Sequence, residues 1–441
     1  MLRRLHLSNW STAVVLAALL ALAPALSPWS SAGIGFAQDA EEKAPQKTRK
    51  TPAMREQTYK KLSAAREFAE ADEFADALRE LDKLAGQKSL NSYERAQVYN
   101  FYGFIHFSQE RYSDAISDYE QVLAQDNLPL ALETATQYTL AQLYFAVEQY
   151  DRAISLINQW LSQAENPGPE PYILLGQALY QKGQFREAVE PVEAAIRIAA
   201  EQGKPPKEQW LLMLRLFYFE LGEFDKVAEI LHRLLEMNPK KDYWIQLSGI
   251  YGEREDRRKQ LIAYEMAYIQ GLLGSGQEFI TMAQLYLQGG VPYKAGQVLE
   301  RGIDNGLVEK SARNYRLLSQ AWTMAQEDEK SIPTLVQAAQ LSSDGEMSLR
   351  LARAYSNLGR WGEAVDAARS AIDKGGLKRS DQANVLLGMA LYNLERYEQA
   401  IVAFRLASQD DRSRRAATQW ISHIGNEQSR QAQLRQALGD T

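Results

Sequence analysis

Histidine is scarce in this 441-residue chain, which has four, and cysteine is absent. His6, His106, His232 and His423 are the natural candidates for general-base or metal-ligand chemistry. They are widely separated, so in an extended array they cannot meet at one metal without dimerisation. The lack of cysteine excludes disulfides, thiolate zinc sites, a thiol nucleophile and a lipid-modified N-terminal cysteine. The acidic pairs Glu253/Glu255 and Asp410/Asp411 have the composition of paired carboxylates, yet both fall in stretches that read as turns, where solvation explains them. No phosphate-binding glycine loop, G-x-S-x-G elbow or H-E-x-x-H helix occurs. The expectation is a protein without catalytic, metal or cofactor sites.

The elements that would position any site are helices in pairs. Asp381–Asp411 (DQANVLLGMALYNLERYEQAIVAFRLASQDD) reads as two amphipathic helices joined by a tight turn, with Leu387, Gly388 and Leu391 on the first and Ala400, Phe404 and Ala407 on the second. A small residue on the first helix and another twelve later recur through the chain. The pairs are Ala65/Ala77, Gly103/Ala115, Ala141/Ala153, Gly176/Ala188 and Arg215/Val227, then Ser248/Gln260, Ala283/Ala295, Ser319/Ser331, Ala352/Ala364 and Gly388/Ala400. Arg215 and Gln260 break the rule, which predicts looser packing or a changed pitch in units five and six. Turns such as ERYSDAI, EQYDRAI, GQFREAV and ERYEQAI carry an aromatic residue, a polar stretch and alanine. The pattern resembles the tetratricopeptide repeat, a helix–turn–helix unit of about 34 residues. It predicts an all-α, right-handed α-solenoid of about ten such pairs over 54–411, with a capping helix and polar tail over 412–441. The apolar stripe Ala416, Ala417, Trp420, Ile421 and Ile424 places that cap at Ser413–Ile424.

Tyr144, Tyr218, Tyr251, Tyr286, Trp322, Tyr355 and Leu391 follow the small residue by three and are expected to pack on the partner helix; His106 occupies the same place. Pro191 should kink its helix. The junctions GLLGSG (271–276) and GGVPY (289–293) are either ordinary turns or exposed binding loops.

In repeats of this kind the first helices line a groove, one residue and one turn beyond the small position. Those positions hold Phe104, Phe107, Gln142, Phe145, Gln177, Tyr180, Leu216 and Phe219 in units two to five. Apolar anchors beside amides suit an extended or helical peptide. The aromatic ladder Phe107, Phe145, Tyr180 and Phe219 reads equally as groove surface or as core beneath the neighbouring helix. The lysine and asparagine set with which some repeat proteins clamp a C-terminal carboxylate is absent.

Residues 1–37 read as a cleavable signal peptide. Arg3 and Arg4 precede the apolar run Ala13–Ala23, and Gly35-Phe36-Ala37 places cleavage after Ala37. The run is short for a bilayer and Pro24 ends it, so no transmembrane span is expected after cleavage. Residues 38–53 read as a flexible linker. Export to a bacterial periplasm is the expected destination. A formal net charge of −6 argues against nucleic acid as the main ligand.

Five blocks carry a narrower resemblance: KTRKTPAMRE (47–56), NSYERAQVYNFYGFI (91–105), YWIQLSGIYGE (243–253), QLYLQGGVPYKAGQVLERGI (284–303) and GLKRSDQANVLLGMALYNLERYEQAI (376–401). The chain resembles exported tetratricopeptide proteins found with TonB–ExbB–ExbD modules of Gram-negative bacteria. That resemblance implies an accessory factor of TonB-dependent outer-membrane transport, with TonB-complex components or an outer-membrane receptor as protein partners. A general envelope-assembly or secretion adaptor is the alternative.

Overall fold

The computed structural model describes residues 53–438. The expected leader, its expected cleavage site and nearly all of the expected linker lie outside them. The described residues form 21 α-helices and no strand. They divide into two compact units, with the boundary between Leu234 and Leu235.

The first unit holds α1 (Glu56–Glu70), α2 (Phe74–Ala85), α3 (Ser92–Ser108), α4 (Tyr112–Leu123), α5 (Leu130–Ala146), α6 (Tyr150–Gln163), α7 (Pro169–Gln181), α8 (Phe185–Glu201) and α9 (Glu208–Glu220). It also holds most of α10 (Phe224–Met237). The second holds α11 (Lys241–Glu253), α12 (Arg257–Ile269), α13 (Gly276–Gln288), α14 (Pro292–Asp304), α15 (Ala312–Met324) and α16 (Asp328–Leu341). It continues with α17 (Glu346–Asn357), α18 (Trp361–Lys374), α19 (Ser380–Asn393), α20 (Tyr397–Ala407) and α21 (Asp411–Leu438). Within each unit successive helices pack on one another. First helices of neighbouring pairs also touch, α1 with α3, α5 with α7, and α17 with α19. This is the all-α solenoid stacking that the spacing predicts.

One backbone device sets the period. Seven residues beyond each of the ten small positions the chain turns left-handed, at Asp72, Glu110, Glu148, Gly183, Gly222, Glu255, Gly290, Gln326, Gly359 and Glu395. The next residue then donates its N–H to the carbonyl five residues back, as Gln149 does to Tyr144 (2.8 Å) and Arg396 to Leu391 (2.9 Å). This Schellman closure ends every first helix and aims the chain back along it.

Close approach within a pair uses the small residue twelve on at Gly176, where a Cβ would lie 3.2 Å from the Ala188 carbonyl, and a larger side chain at two other glycines. A Cβ on Gly388 would lie 2.8 Å from the Phe404 ring, and one on Gly103 2.9 Å from the Tyr119 ring. In these two pairs the glycine makes room for a ring sixteen residues on, and Ala400 is fully buried. Unit six keeps its closeness by moving the gap. Gln260 fills space left by Gly252, and Ser248 Oγ donates to the Gln260 carbonyl at 2.9 Å. The looser packing expected there is not what this pair shows.

Other expectations resolve locally. α8 runs from Phe185 to Glu201 with Pro191 buried inside it. The junction at 271–276 is packed turn, not open loop. Leu273 is buried, Ser275 caps α13 with Glu278 as the reciprocal partner, and a Cβ on Gly276 would collide with the Leu307 carbonyl. Val291 of the other junction is half-buried against the same core. The terminal helix α21 is 28 residues long, well beyond Ile424. Good helix formers continue it, with a Glu427–Arg430 ion pair at 2.6 Å and Gln431 Nε2 donating to the Tyr397 hydroxyl at 3.1 Å.

Candidate interaction surface

The candidates for recognition lie on the first helices α3, α5, α7 and α9 of the first compact unit. Phe107, Phe145, Tyr180 and Phe219 are all half-buried. Each meets the aromatic residue that starts the following helix. Centroid distances are 5.9 Å for Phe107–Tyr112, 5.6 Å for Phe145–Tyr150, 5.4 Å for Tyr180–Phe185 and 6.1 Å for Phe219–Phe224. Tyr180 also stacks on Phe217 of the next pair at 5.1 Å. The ladder is therefore braced from behind, and each ring also keeps some surface.

The remaining candidates divide. Phe104, Gln177 and Leu216 are half-buried. Gln142 is only 8% exposed, and its amide hydrogen-bonds Tyr138. Burial pushes the Tyr138 phenol up to about 12. The surface is thus four braced rings with one largely withdrawn amide among them.

A further feature occurs on α5 of the first unit and on α11, α13 and α15 of the second. In four repeats the aromatic residue three beyond the small position is roofed by a cation eight residues later. Arg152 lies over Tyr144 at 5.5 Å, Lys259 over Tyr251 at 5.5 Å, Lys294 over Tyr286 at 5.5 Å and Lys330 over Trp322 at 4.9 Å. Two of these roofed tyrosines, Tyr144 and Tyr286, and also Tyr218 at the equivalent place, bind a glutamate of the preceding pair. Tyr218 donates to Glu193 at 2.7 Å, Tyr286 to Glu265 at 2.7 Å, and Tyr144 to Glu120. Burial and Glu120 push the Tyr144 phenol up to about 12. The signal was legible as an aromatic-to-basic spacing of eight. These groups join repeats and offer no reactive centre.

The described histidines, His106, His232 and His423, lie on α3, α10 and α21. His106 is 14% exposed, with Nδ1 2.6 Å from Asp118 Oδ2 and its ring stacked on Tyr102 at 6.3 Å. His423 Nε2 is 3.0 Å from the Tyr392 hydroxyl. Among the described residues no group of histidine and acidic side chains could hold a metal ion. None of the described helices is long and apolar enough to cross a membrane.

Two segments of the chain match known family models. Residues 349–415, which take in nearly all of α17 to α20, match the tetratricopeptide repeat family. That segment carries the tetratricopeptide repeat pattern. Residues 59–202, within the first four repeats, match the RNPP family C-terminal domain. No curated protein matches the chain. Among solved structures, a tetratricopeptide repeat protein from Parabacteroides merdae is 17% identical, over 65% of this chain and 94% of its own, with a TM-score of 0.35. MamA is 19% identical over 38% of this chain and 90% of its own, at 0.33. The TPR2AB domain of yeast Sti1, in complex with pHSP90, is 17% identical over 60% and 98%, at 0.33. At these scores the likenesses carry no argument about what this repeat array binds.

Proposed function

We propose that the protein is a non-catalytic protein-interaction scaffold that receives an apolar segment of a protein partner on the first helices of its N-terminal unit. The observation that carries this is the row of four half-buried rings, each braced by the aromatic residue of its own turn. Braced rings lose little freedom on binding, so they make efficient anchors. The resemblance to TonB-associated exported proteins extends the proposal. The leader directs the chain to the periplasm, cleavage follows Ala37, and the partner is a TonB-complex component or an outer-membrane receptor.

Capture from envelope extracts tests the partner. Recovery of TonB, ExbB, ExbD or a receptor supports the proposal, and recovery of none of them removes it. Depletion that alters outer-membrane protein levels while iron or vitamin uptake stays normal would reassign the scaffold to general envelope assembly or secretion. The combined substitution Phe145→Ala and Phe219→Ala tests the surface. Weaker capture at unchanged helicity supports recognition there, whereas collapse of helicity assigns the row to the core alone.

A further inference from the structure

The second helices α16 and α18 leave a cleft of about 470 Å³ between them, floored by α17. Ser348, Leu351 and Tyr355 form the floor at a spacing of three and four, one stripe of α17. Arg353 and Ser356, at the groove positions of that helix, lie on a different stripe, rotated by roughly a third of a turn by the 100° helical step. The cleft is therefore separate from the first-helix surface.

Its walls combine three kinds of chemistry. Val336 and Ala339 on α16 and Ala367 on α18 give short apolar sides that fit an unbranched carbon chain. Ser348, only 2% exposed, and Ser370 bring hydroxyl oxygens 3.2 Å apart within the lining. One hydroxyl donates to the other, which leaves a donor and free lone pairs for an occupant. The charged groups are unequally committed. Glu363 already accepts from Arg360 at 2.9 and 2.7 Å. Lys374 donates to the carbonyls of Ala339 and Ser342. Asp366 is exposed on the rim and has no hydrogen bond or ion pair among the described residues.

An uncommitted carboxylate beside an apolar channel suits an alkyl stem that ends in a cation. Asp366 and Lys374 are eight residues apart on α18, about 12 Å at the helical rise. That exceeds one side chain and leaves room for backbone to run past the two serines. The geometry points to a second binding site, taking an arginine or lysine side chain presented by a protein segment. The methylenes lie between Val336, Ala339 and Ala367, the cation sits on Asp366, and the serine hydroxyls meet the segment's backbone.

Methyl NMR of the full chain tests this, with the capped peptide Gly-Gly-Arg-Gly-Gly as probe. Shifts confined to Ala339, Leu351 and Ala367 are expected. Asp366→Asn should weaken binding about tenfold, the loss of one charge-assisted hydrogen bond, and Asp366→Lys should abolish it. Asp366 is exposed, so both variants keep the fold, with circular dichroism as the check. A norleucine peptide that binds as well, shifts spread elsewhere, or an affinity indifferent to Asp366 would overturn the site. Free butylguanidine binding as tightly as the peptide would overturn a protein segment as its occupant. Phe145→Ala with Phe219→Ala should leave this titration unchanged.

Discussion

Phe145, at the end of α5, meets Tyr150, the first residue of α6, edge-on with ring centroids 5.6 Å apart. The pair spans the left-handed turn at Glu148 and pins the direction in which the second helix leaves. The same pairing recurs at Phe107–Tyr112, Tyr180–Phe185 and Phe219–Phe224, and at Tyr392–Tyr397 in the second unit. Where the first partner is Gly252, Leu287, Thr323 or Ser356, the corresponding second position is Arg257, Pro292, Asp328 or Trp361. A ring-to-ring clamp is used in some turns and dispensed with in others.

A double-mutant cycle on Phe145→Ala and Tyr150→Ala should give a coupling of about 1 kcal/mol, the scale of an aromatic pair beyond its area burial. Urea denaturation measures it. Additive losses would mean that the rings touch without stabilising the turn.

The left-handed turns predict an asymmetry between substitutions. Gly222, at φ 70°, changed to valine should cost roughly 1–2 kcal/mol, because a β-branched residue is strained there. Glu148→Gly, at φ 61°, relieves strain at a site that already tolerates a side chain and should be neutral to stabilising. Thermal melting distinguishes the two.

Acid should act through Glu94. Its side chain is fully buried at the start of α3, where Arg55 donates to it at 2.6 Å and the Asn91 N–H at 3.0 Å. Burial opposes its charge, but hydrogen bonds from Arg55, the Asn91 backbone and Thr58 outweigh that and hold the carboxyl at about 2, against an ordinary 4.5. The unfolded chain takes up the proton first as pH falls. The stabilisation is complete above about 4.5 and disappears on the way to 2. Urea midpoints at pH 6 and pH 3 should fall less for Glu94→Gln than for the native chain. An equal fall would exclude the group as the acid sensor.

Tyr286→Phe removes the phenol that donates to Glu265 at 2.7 Å while Lys294 still holds the carboxylate at 2.7 Å. The expected loss is about 1 kcal/mol, read by chemical denaturation.

The helical pairs were readable because the small residues repeat at fixed spacing, and ten turns fall seven residues after them. What the glycines do was not readable. Their missing Cβ faces Phe404 or Tyr119, sixteen residues on, and only the helix crossing in space reveals that. Gln260 looked like a defect until Gly252 supplied its room. The end of α21 escaped for the opposite reason. Past Ile424 the apolar stripe stops, but helix propensity and the Glu427–Arg430 pair carry the backbone on. Of the candidate surface, the positions were legible but not the bracing. Tyr112, Tyr150, Phe185 and Phe224 read as turn residues, and their contact with the ladder depends on how the turn folds back.

Because each first helix is ended by a hydrogen bond reaching only five residues back, a hairpin needs nothing from the distant chain to close. Synthesis delivers about 5–20 residues per second, so a repeat of about 34 residues takes seconds to appear. Turn closure and helix growth take microseconds or less. Each hairpin can therefore close within its own residues and needs the next repeat only to cover its apolar side. Assembly order is written into the turn.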